Sequence, residues 1–228
     1  MQHLACIMDG NRRFAKKNGL KPWLGHTKGV DAVRTTIEFC VQHNIPYLSL
    51  YAFSLENLHR SDEEKQHLFA LMVDRIEKHS NEFSEKNIRI RFIGDRMRFP
   101  EQVLKSCSEI EDKTASGTRL QVDVLFCYGG RQEIVAAARQ AAQAVLQGTM
   151  RVEDITDESF SAQLWQGDIP APDLIIRTGG VCRLSNFLLY QAAYAELYFS
   201  DLLWPEITTE HLQAAVDTFN QRKRTFGS

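Results

Sequence analysis

Leu4-Ala5-Cys6-Ile7-Met8, followed by Asp9-Gly10-Asn11-Arg12-Arg13-Phe14-Ala15, is the stretch on which the reading of this chain turns. Five apolar residues without a polar break suit a short strand buried on both faces. Gly10 and Asn11 suit a tight turn, and a helix starts after them. Strand, turn and helix together form the opening unit of a parallel sheet. The same alternation continues along the chain. Val30, Val33, Ile37 and Val41 predict a helix over 27–43, and 47–53 reads as a second strand. A long amphipathic helix follows over 61–86, then a strand over 88–93 and a helix from about residue 100. A fourth strand is read over 119–127, and an alanine-rich helix over 131–146 is stopped by Gly148. A short buried strand over 173–176 and a helix over 212–219 complete the pattern. The expectation is one α/β domain over 1–228, with a mainly parallel central sheet flanked by helices.

The bulk composition agrees with this. The chain has 228 residues, 43% of them hydrophobic and 25% charged, which is ordinary for a globular protein with a sizeable core. A net charge of −2 does not favour a nucleic-acid partner, so any anion site must be local. The five cysteines, Cys6, Cys40, Cys107, Cys127 and Cys182, form no C-x-x-C pair and sit in or beside apolar segments. They read as reduced core residues of a cytoplasmic protein. No apolar run approaches the ~20 residues that span a bilayer. The residues after Met1 lack the basic and apolar regions of a signal peptide. A soluble protein is expected, with peripheral membrane contact left open.

In open α/β sheets ligands gather past the carboxyl ends of the strands, so those ends are the places to read for chemistry. After the first strand, Asp9 would oppose an anion unless a metal lay between them. Mg²⁺ takes one or two carboxylates together with substrate phosphates, but an aspartate in a turn also simply caps helices. Arg12 and Arg13 add positive charge beside the turn. After the second strand come Ser54-Leu55-Glu56-Asn57-Leu58-His59-Arg60, a mixture of groups that functional loops often carry. Ser61 and Glu64 equally suit a capping box for the next helix. After the fourth strand, Tyr128-Gly129-Gly130-Arg131 reads as a structural turn in which Arg131 braces neighbouring loops. After the last predicted strand, Arg177 and Arg183 flank a glycine turn and precede Ser185. Arginines bind phosphate in this way but also serve as salt-bridge partners. Glu196 lies in an otherwise apolar stretch and needs a partner, for which a metal would serve.

Taken in order, Asp9-Gly10-Asn11-Arg12-Arg13, Gly25-His26, Tyr51-Ala52-Phe53-Ser54-Leu55-Glu56-Asn57, Phe92-Ile93-Gly94-Asp95, Tyr128-Gly129-Gly130-Arg131, Arg177-Thr178-Gly179-Gly180, Arg183-Leu184-Ser185-Asn186-Phe187, Ala193-Tyr194-Ala195-Glu196 and Leu203-Trp204-Pro205-Glu206 resemble the motifs of cis-prenyltransferases, most of all the bacterial undecaprenyl diphosphate synthase group. The resemblance runs over nearly the whole chain. It implies condensation of isopentenyl diphosphate with an allylic diphosphate such as farnesyl diphosphate, with Mg²⁺ as cofactor. Asp9 would hold the metal and Glu196 would contribute to it, from the side of a homodimer partner. Gly10, Asn11, Arg12, Arg13, Phe14 and His26 would cradle the allylic diphosphate. Arg177, Arg183, Leu184 and Ser185 would hold isopentenyl diphosphate. Asn57 would position that substrate for proton loss, within a substrate loop of Ser54, Leu55, Glu56, Leu58 and Arg60. The product would thread an apolar tunnel, with Leu50, Ala52, Phe69, Met72, Ile93 and Phe126 as candidate lining.

The chain departs from the family pattern at several positions. Arg12 stands where Gly is frequent, Phe14 and Leu58 where Trp is usual, Pro22 where Arg is common, Val181 where Glu is normal, and Thr225-Phe226-Gly227 where Arg-Phe-Gly is expected. Two neighbouring readings remain: a short-chain cis-prenyltransferase, suited by bulky Val30 and Phe126, and a non-catalytic subunit of a heteromeric enzyme. A phosphate-binding module without catalysis is the third. Aspartate-rich D-D-x-x-D, Walker A, G-x-G-x-x-G and zinc-ligand patterns are all absent.

Overall fold

In the computed structural model of the chain, which describes residues 1–222 except the side chains of Ile76 and Glu77, six strands form one sheet. They are β1 (His3–Ile7), β2 (Tyr47–Ser54), β3 (Ile88–Ile93), β4 (Leu120–Tyr128), β5 (Leu174–Arg177) and β6 (Glu196–Phe199), in spatial order β3-β4-β2-β1-β5-β6. Every neighbouring pair is parallel. The helices are α1 (Asn11–Lys17), α2 (Pro22–Gln42), α3 (Asp62–Glu85), α4 (Glu101–Thr114), α5 (Gly130–Leu146), α6 (Asp157–Ser161) and α7 (Thr209–Gln221). Among the described residues, no helix is long and apolar enough to cross a membrane.

β1 is buried at all five positions, four of them in the apolar run, the fifth being His3, and Met8 of that run falls just outside the strand. Its side chains alternate between two cores. Leu4 and Cys6 join a cluster that includes Ile37 and Phe39 of α2, Val103 and Ile110 of α4 and Leu212 of α7. Ala5 and Ile7 join a smaller cluster on the opposite face, with Leu125, Tyr128, Ile175 and Phe187. The sheet is therefore covered on both sides.

Three elements differ from the sequence expectation: α6, a five-residue helix capped by Thr156 that the sequence reading did not include, α2 and β6. α2 starts at Pro22, five residues before the apolar periodicity becomes visible, because proline fits the first helical position without losing a needed N–H. β6 was not expected at all. It is an edge strand of four half-buried or exposed residues, without a buried apolar run, and its pairing with β5 places it. The cysteine reading also needs one correction. Cys6, Cys40, Cys107 and Cys127 are buried, but Cys182 is exposed, because the turn after β5 runs past the covered end of the sheet. Burial pushes the thiols of Cys6, Cys107 and Cys127 up to about 12, which leaves them inert.

The connections from β1 lead to β2 on one side, whereas β5 lies on the other. The strand order thus reverses between β1 and β5, and their carboxyl ends mark the point where a parallel sheet opens to a ligand.

Candidate active site

Asp9 follows β1 at this reversal point. Gly10 turns the chain with φ +111°, a conformation that L side chains rarely adopt, and a Cβ there would lie 2.9 Å from Leu203 Cα. α1 then points its first turn back at the strand end. The Asp9 carboxylate stands between two guanidinium groups. Arg177 Nη2 donates to Asp9 Oδ2 at 3.0 Å, and Arg13 Nη2 donates to Asp9 Oδ1 at 3.0 Å. Arg177 is the last residue of β5 and only 4% exposed, so its charge is held in place by neighbours rather than by water. Its Nη1 donates to Ser185 Oγ at 2.7 Å and to the Arg183 carbonyl. Arg183 Nε donates to the same hydroxyl at 3.2 Å. Asp9, Arg177, Arg183 and Ser185 thus form one connected set, drawn from two loops far apart in sequence.

The second loop closes the opposite side. Ser54 Oγ accepts from Asn57 N at 3.3 Å while Asn57 Oδ1 accepts from Ser54 N at 3.2 Å, capping the short turn Leu55–His59. Glu64, at the start of α3, is 6% exposed and pairs with Arg60 at 3.0 Å. It lies 3.8 Å from both Arg12 and His26. In the sequence Glu64 is legible only as a capping residue. Its second role, joining three cationic or basic groups from α1, α2 and the β2 loop, depends on how those elements pack. Burial, with Arg60 and Arg12 nearby, lowers the His26 pKa to about 4, so the imidazole is neutral at ordinary pH.

Several buried polar atoms here have no hydrogen-bond partner. They include Asn11 Oδ1, His26 Nε2 and Arg177 Nε. Buried polar atoms are otherwise almost always paired, so these three mark this end as a candidate for a polar ligand, while His67, Arg75 and Gln191 carry the other such atoms among the described residues.

The site opens directly into a cavity of about 1090 Å³. Asp9, Asn11, His26, Ser54, Glu56, Asn57, Arg60, Arg177, Arg183 and Ser185 line its mouth. Its body is apolar, with Val33, Ile37, Leu50, Met72, Val124 and Phe126. It reaches Ile88 and Arg119 at the amino ends of β3 and β4. At ~3.3 Å per residue it follows roughly 25–30 Å of sheet. Near Glu82 its wall carries an ion cluster between α2 and α3. Glu82 accepts from Arg34 at 2.9 Å and Lys86 at 2.7 Å, and lies 3.1 Å from His79.

Of the candidate lining residues, Leu50, Ala52, Met72 and Phe126 face the cavity, as do Val30 and Asn186. Phe69 and Ile93 do not. Phe69 packs edge-on against Phe53 and Phe126, and Ile93 belongs to the core on the other face of the sheet. Gly10, Arg12, Arg13, Phe14, Leu55, Leu58, Leu184 and Glu196 are also outside the lining. Leu55 and Leu58 pack against the larger core and Leu184 against the smaller one. Arg13 acts through Asp9 and the Gly179 carbonyl. Glu196 opens β6 opposite Leu174, at the end of the sheet away from Arg177, and its carboxylate is bonded by Arg222. Within one chain it does not join Asp9. Pro22 opens α2, and Lys21 sits 5.0 Å over the Trp23 ring. Residues 225–227 lie outside the described residues.

Among the described residues, no group of three or more His, Cys, Asp or Glu side chains forms a metal cage. Asp9 alone fits the more open arrangement of Mg²⁺, which takes one or two carboxylates and completes its shell with phosphate and water. Each Asp9 oxygen accepts one guanidinium hydrogen bond and keeps a further lone pair, and the side chain is 31% exposed.

Comparison with known proteins agrees with this geometry. A family model described as putative undecaprenyl diphosphate synthase matches residues 7–227. An isoprenyl transferase of Neisseria gonorrhoeae is 42% identical over 226 residues, covering 99% of this chain and 89% of that protein. A ditrans,polycis-undecaprenyl-diphosphate synthase ((2E,6E)-farnesyl-diphosphate specific) of Pseudomonas aeruginosa is 45% identical over 226 residues, covering 99% and 90%. Among solved structures, lavandulyl diphosphate synthase from Lavandula x intermedia, in complex with dimethylallyl diphosphate, superposes with a TM-score of 0.96 at 33% identity, covering 100% of this chain and 98% of that one. A probable undecaprenyl diphosphate synthase from Campylobacter jejuni gives 0.83 at 34% identity, covering 100% and 99%. The strand-end motifs, the parallel sheet and these full-length matches together place the chain in the undecaprenyl diphosphate synthase family of prenyltransferases.

Proposed function

We propose that this chain condenses isopentenyl diphosphate with farnesyl diphosphate, repeatedly and in cis geometry, to give a long polyprenyl diphosphate such as undecaprenyl diphosphate. The observation that carries this reading is the direct continuity of a guanidinium-rich mouth with a long apolar cavity. A diphosphate suits the first and a growing hydrocarbon suits the second.

In this reading the allylic C–O bond breaks, the double bond of isopentenyl diphosphate forms the new C–C bond, and a proton is lost. Negative charge grows on the departing diphosphate, and Arg13 with the first turn of α1 stabilises it more in the transition state than before. Mg²⁺ would be held by Asp9 and phosphate oxygens, and would neutralise part of that charge. Arg177, Arg183 and Ser185 hold isopentenyl diphosphate, while Asn57 orients it from the β2 loop. Neutral His26 donates or accepts a hydrogen bond without adding charge. The apolar body excludes water and guides the lengthening chain toward Ile88. A homodimer belongs to this reading: β6 is an edge strand, Tyr194 beside it is 83% exposed, and Glu196 would meet a metal only across such an interface. Release of so apolar a product implies peripheral contact with a membrane.

The length of the cavity favours long products over the short-chain alternative. The test is turnover with farnesyl diphosphate, labelled isopentenyl diphosphate and Mg²⁺, with products resolved by length. Products with many added units are expected. One or two added units would move the chain to the short-chain group. A folded protein that binds diphosphates without incorporating label would sink the catalytic reading.

A further inference from the structure

Ser185 holds both arginines of the β5 loop, yet it sits in a backbone that does not hold itself. Ser185, Asn186 and Leu188 have φ values of 51°, 65° and 42°, in the left-handed region that side chains other than Asn, Asp and Gly avoid. Such strain persists only where surrounding groups determine it. The surrounding groups converge on Asn186. Its Oδ1 accepts from the backbone N–H of Arg131 at 2.9 Å. Its Nδ2 donates to Glu56 Oε1 at 2.9 Å and to Gln132 Oε1 at 3.1 Å. Its backbone carbonyl accepts from Gly130 N at 2.7 Å. One carboxamide therefore joins the β2 loop, the start of α5 and the β5 loop.

The paired glycines after β4 are shaped to this side chain. A Cβ on Gly129 would lie 2.7 Å from Asn186 Nδ2 and 2.3 Å from Gln132 Oε1, and one on Gly130 would lie 2.9 Å from Leu189 Cγ. Tyr51 adds a further tie, donating from its hydroxyl to the Ser185 carbonyl at 3.3 Å. Glu56 is pushed upward by burial, but hydrogen bonds from its own backbone, Asn186 and Ser54, with Arg131 nearby, hold its pKa below the ordinary carboxylate value. It remains a charged acceptor for Nδ2.

We propose that Asn186 is a positioning residue. It fixes Ser185 and, through that hydroxyl, Arg177 and Arg183, so that the isopentenyl-diphosphate side of the mouth is preformed. This rests on the reading that those arginines bind that diphosphate. The allylic side, built on Asp9 and Arg13, has no contact with Asn186 and meets this set only where Arg177 donates to Asp9.

Asn186→Gly removes the carboxamide and keeps the left-handed backbone accessible. The expected result is a rise of about tenfold or more in KM for isopentenyl diphosphate, with KM for farnesyl diphosphate and the unfolding midpoint little changed. Asn186→Asp keeps the acceptor for Arg131 N–H but turns an oxygen toward Glu56, and should raise the same KM. Adding Glu56→Gln to Asn186→Asp supplies a donor from the other side and should recover part of the loss. Unchanged KM for isopentenyl diphosphate in Asn186→Gly would overturn the role. So would parallel rises in both KM values with a fallen unfolding midpoint, or a double variant no better than Asn186→Asp. Arg183→Ala is the control: if it leaves that KM unmoved, the reading of the mouth has failed, and this inference fails with it.

Discussion

The cavity carries charge in two places and uses it in opposite ways. At the mouth, Arg60, Arg177 and Arg183 outnumber Asp9 and Glu56, and several buried polar atoms have no partner. In the ion cluster between α2 and α3, Arg34 and Lys86 meet Glu38 and Glu82, and each has an opposite charge within reach. Glu82 is held down to about 2 by hydrogen bonds from Lys86 and His79, with Lys86 and Arg34 nearby, and its side chain is 28% exposed. A balanced, solvated cluster stitches two helices and asks for nothing more. The mouth is unbalanced, and its Arg177, only 4% exposed, keeps an unpartnered Nε that an anion would satisfy. Charge that its own fold leaves unsatisfied is the better guide to function.

That contrast can be broken experimentally, and the mouth should give the largest effect. Asp9→Ala should lower turnover by about 10³-fold or more while circular dichroism and the unfolding transition stay near wild type, because the lost carboxylate acts on charge developing in the reaction. Near-wild-type turnover would remove Asp9 from the metal assignment. The apolar body should respond in stability. Phe126 is 1% exposed and its ring meets those of Phe53, Phe69 and Phe99. Phe126→Ala should cost about 3–5 kcal/mol in denaturant unfolding, and any residual activity should give a broader range of product lengths.

A third polar region, on the smaller-core side of β1, β2 and β4, sharpens the comparison because it is buried and satisfied at once. His3 Nδ1 meets the Pro170 carbonyl at 2.7 Å and Nε2 meets Ser49 Oγ at 2.8 Å. Gln166 bridges Ser49 to Asp123. Burial lowers the His3 pKa from 6.5 to about 4, against weaker opposing effects of the Pro170 carbonyl and Asp173. A depressed histidine pKa means the unfolded chain takes up the proton first. Its contribution is therefore full above about pH 6.5 and is lost as the pH falls toward 4. Unfolding measured across that window should show a loss of up to about 3 kcal/mol from this group, and His3→Gln should flatten the slope. An unchanged slope would show that His3 is not neutral in the folded protein. The smallest effect belongs to the balanced cluster. Glu82→Gln should change stability by less than about 1 kcal/mol and leave KM for both diphosphates unmoved. A large change in either would mean that the cluster is more than a helix tie.

How much of this was visible beforehand depends on how local each cause is. The strand β1 and its turn were legible because an apolar run and a glycine–asparagine pair act over neighbouring residues. The polar strand ends were legible as candidate sites because Asp9, Arg13, Arg177 and Arg183 sit in short polar segments after apolar ones. Leu55, Leu58 and Leu184 share those segments, yet they pack against the two cores: Leu55 and Leu58 stand three apart on a 3-10 turn and so share one face, toward the larger core, while Leu184 meets the smaller one. Cys182 was read as buried from its apolar neighbours, but the turn carries it into solvent.

By itself, the sequence determined the α/β alternation, the apolar cores and which strand ends gather polar side chains, since each follows from periodicity and residue type along a few positions. Only the tertiary structure decided that Glu64 gathers Arg12, Arg60 and His26, and that Asn186 ties three loops to one hydroxyl. It also set Glu196 at the opposite end of the sheet from Asp9. Those facts depend on strand order, on β1 lying between β2 and β5, and on distances between residues far apart in the chain. Such distances are set by the packing of whole elements, for which no short stretch of residues carries the information.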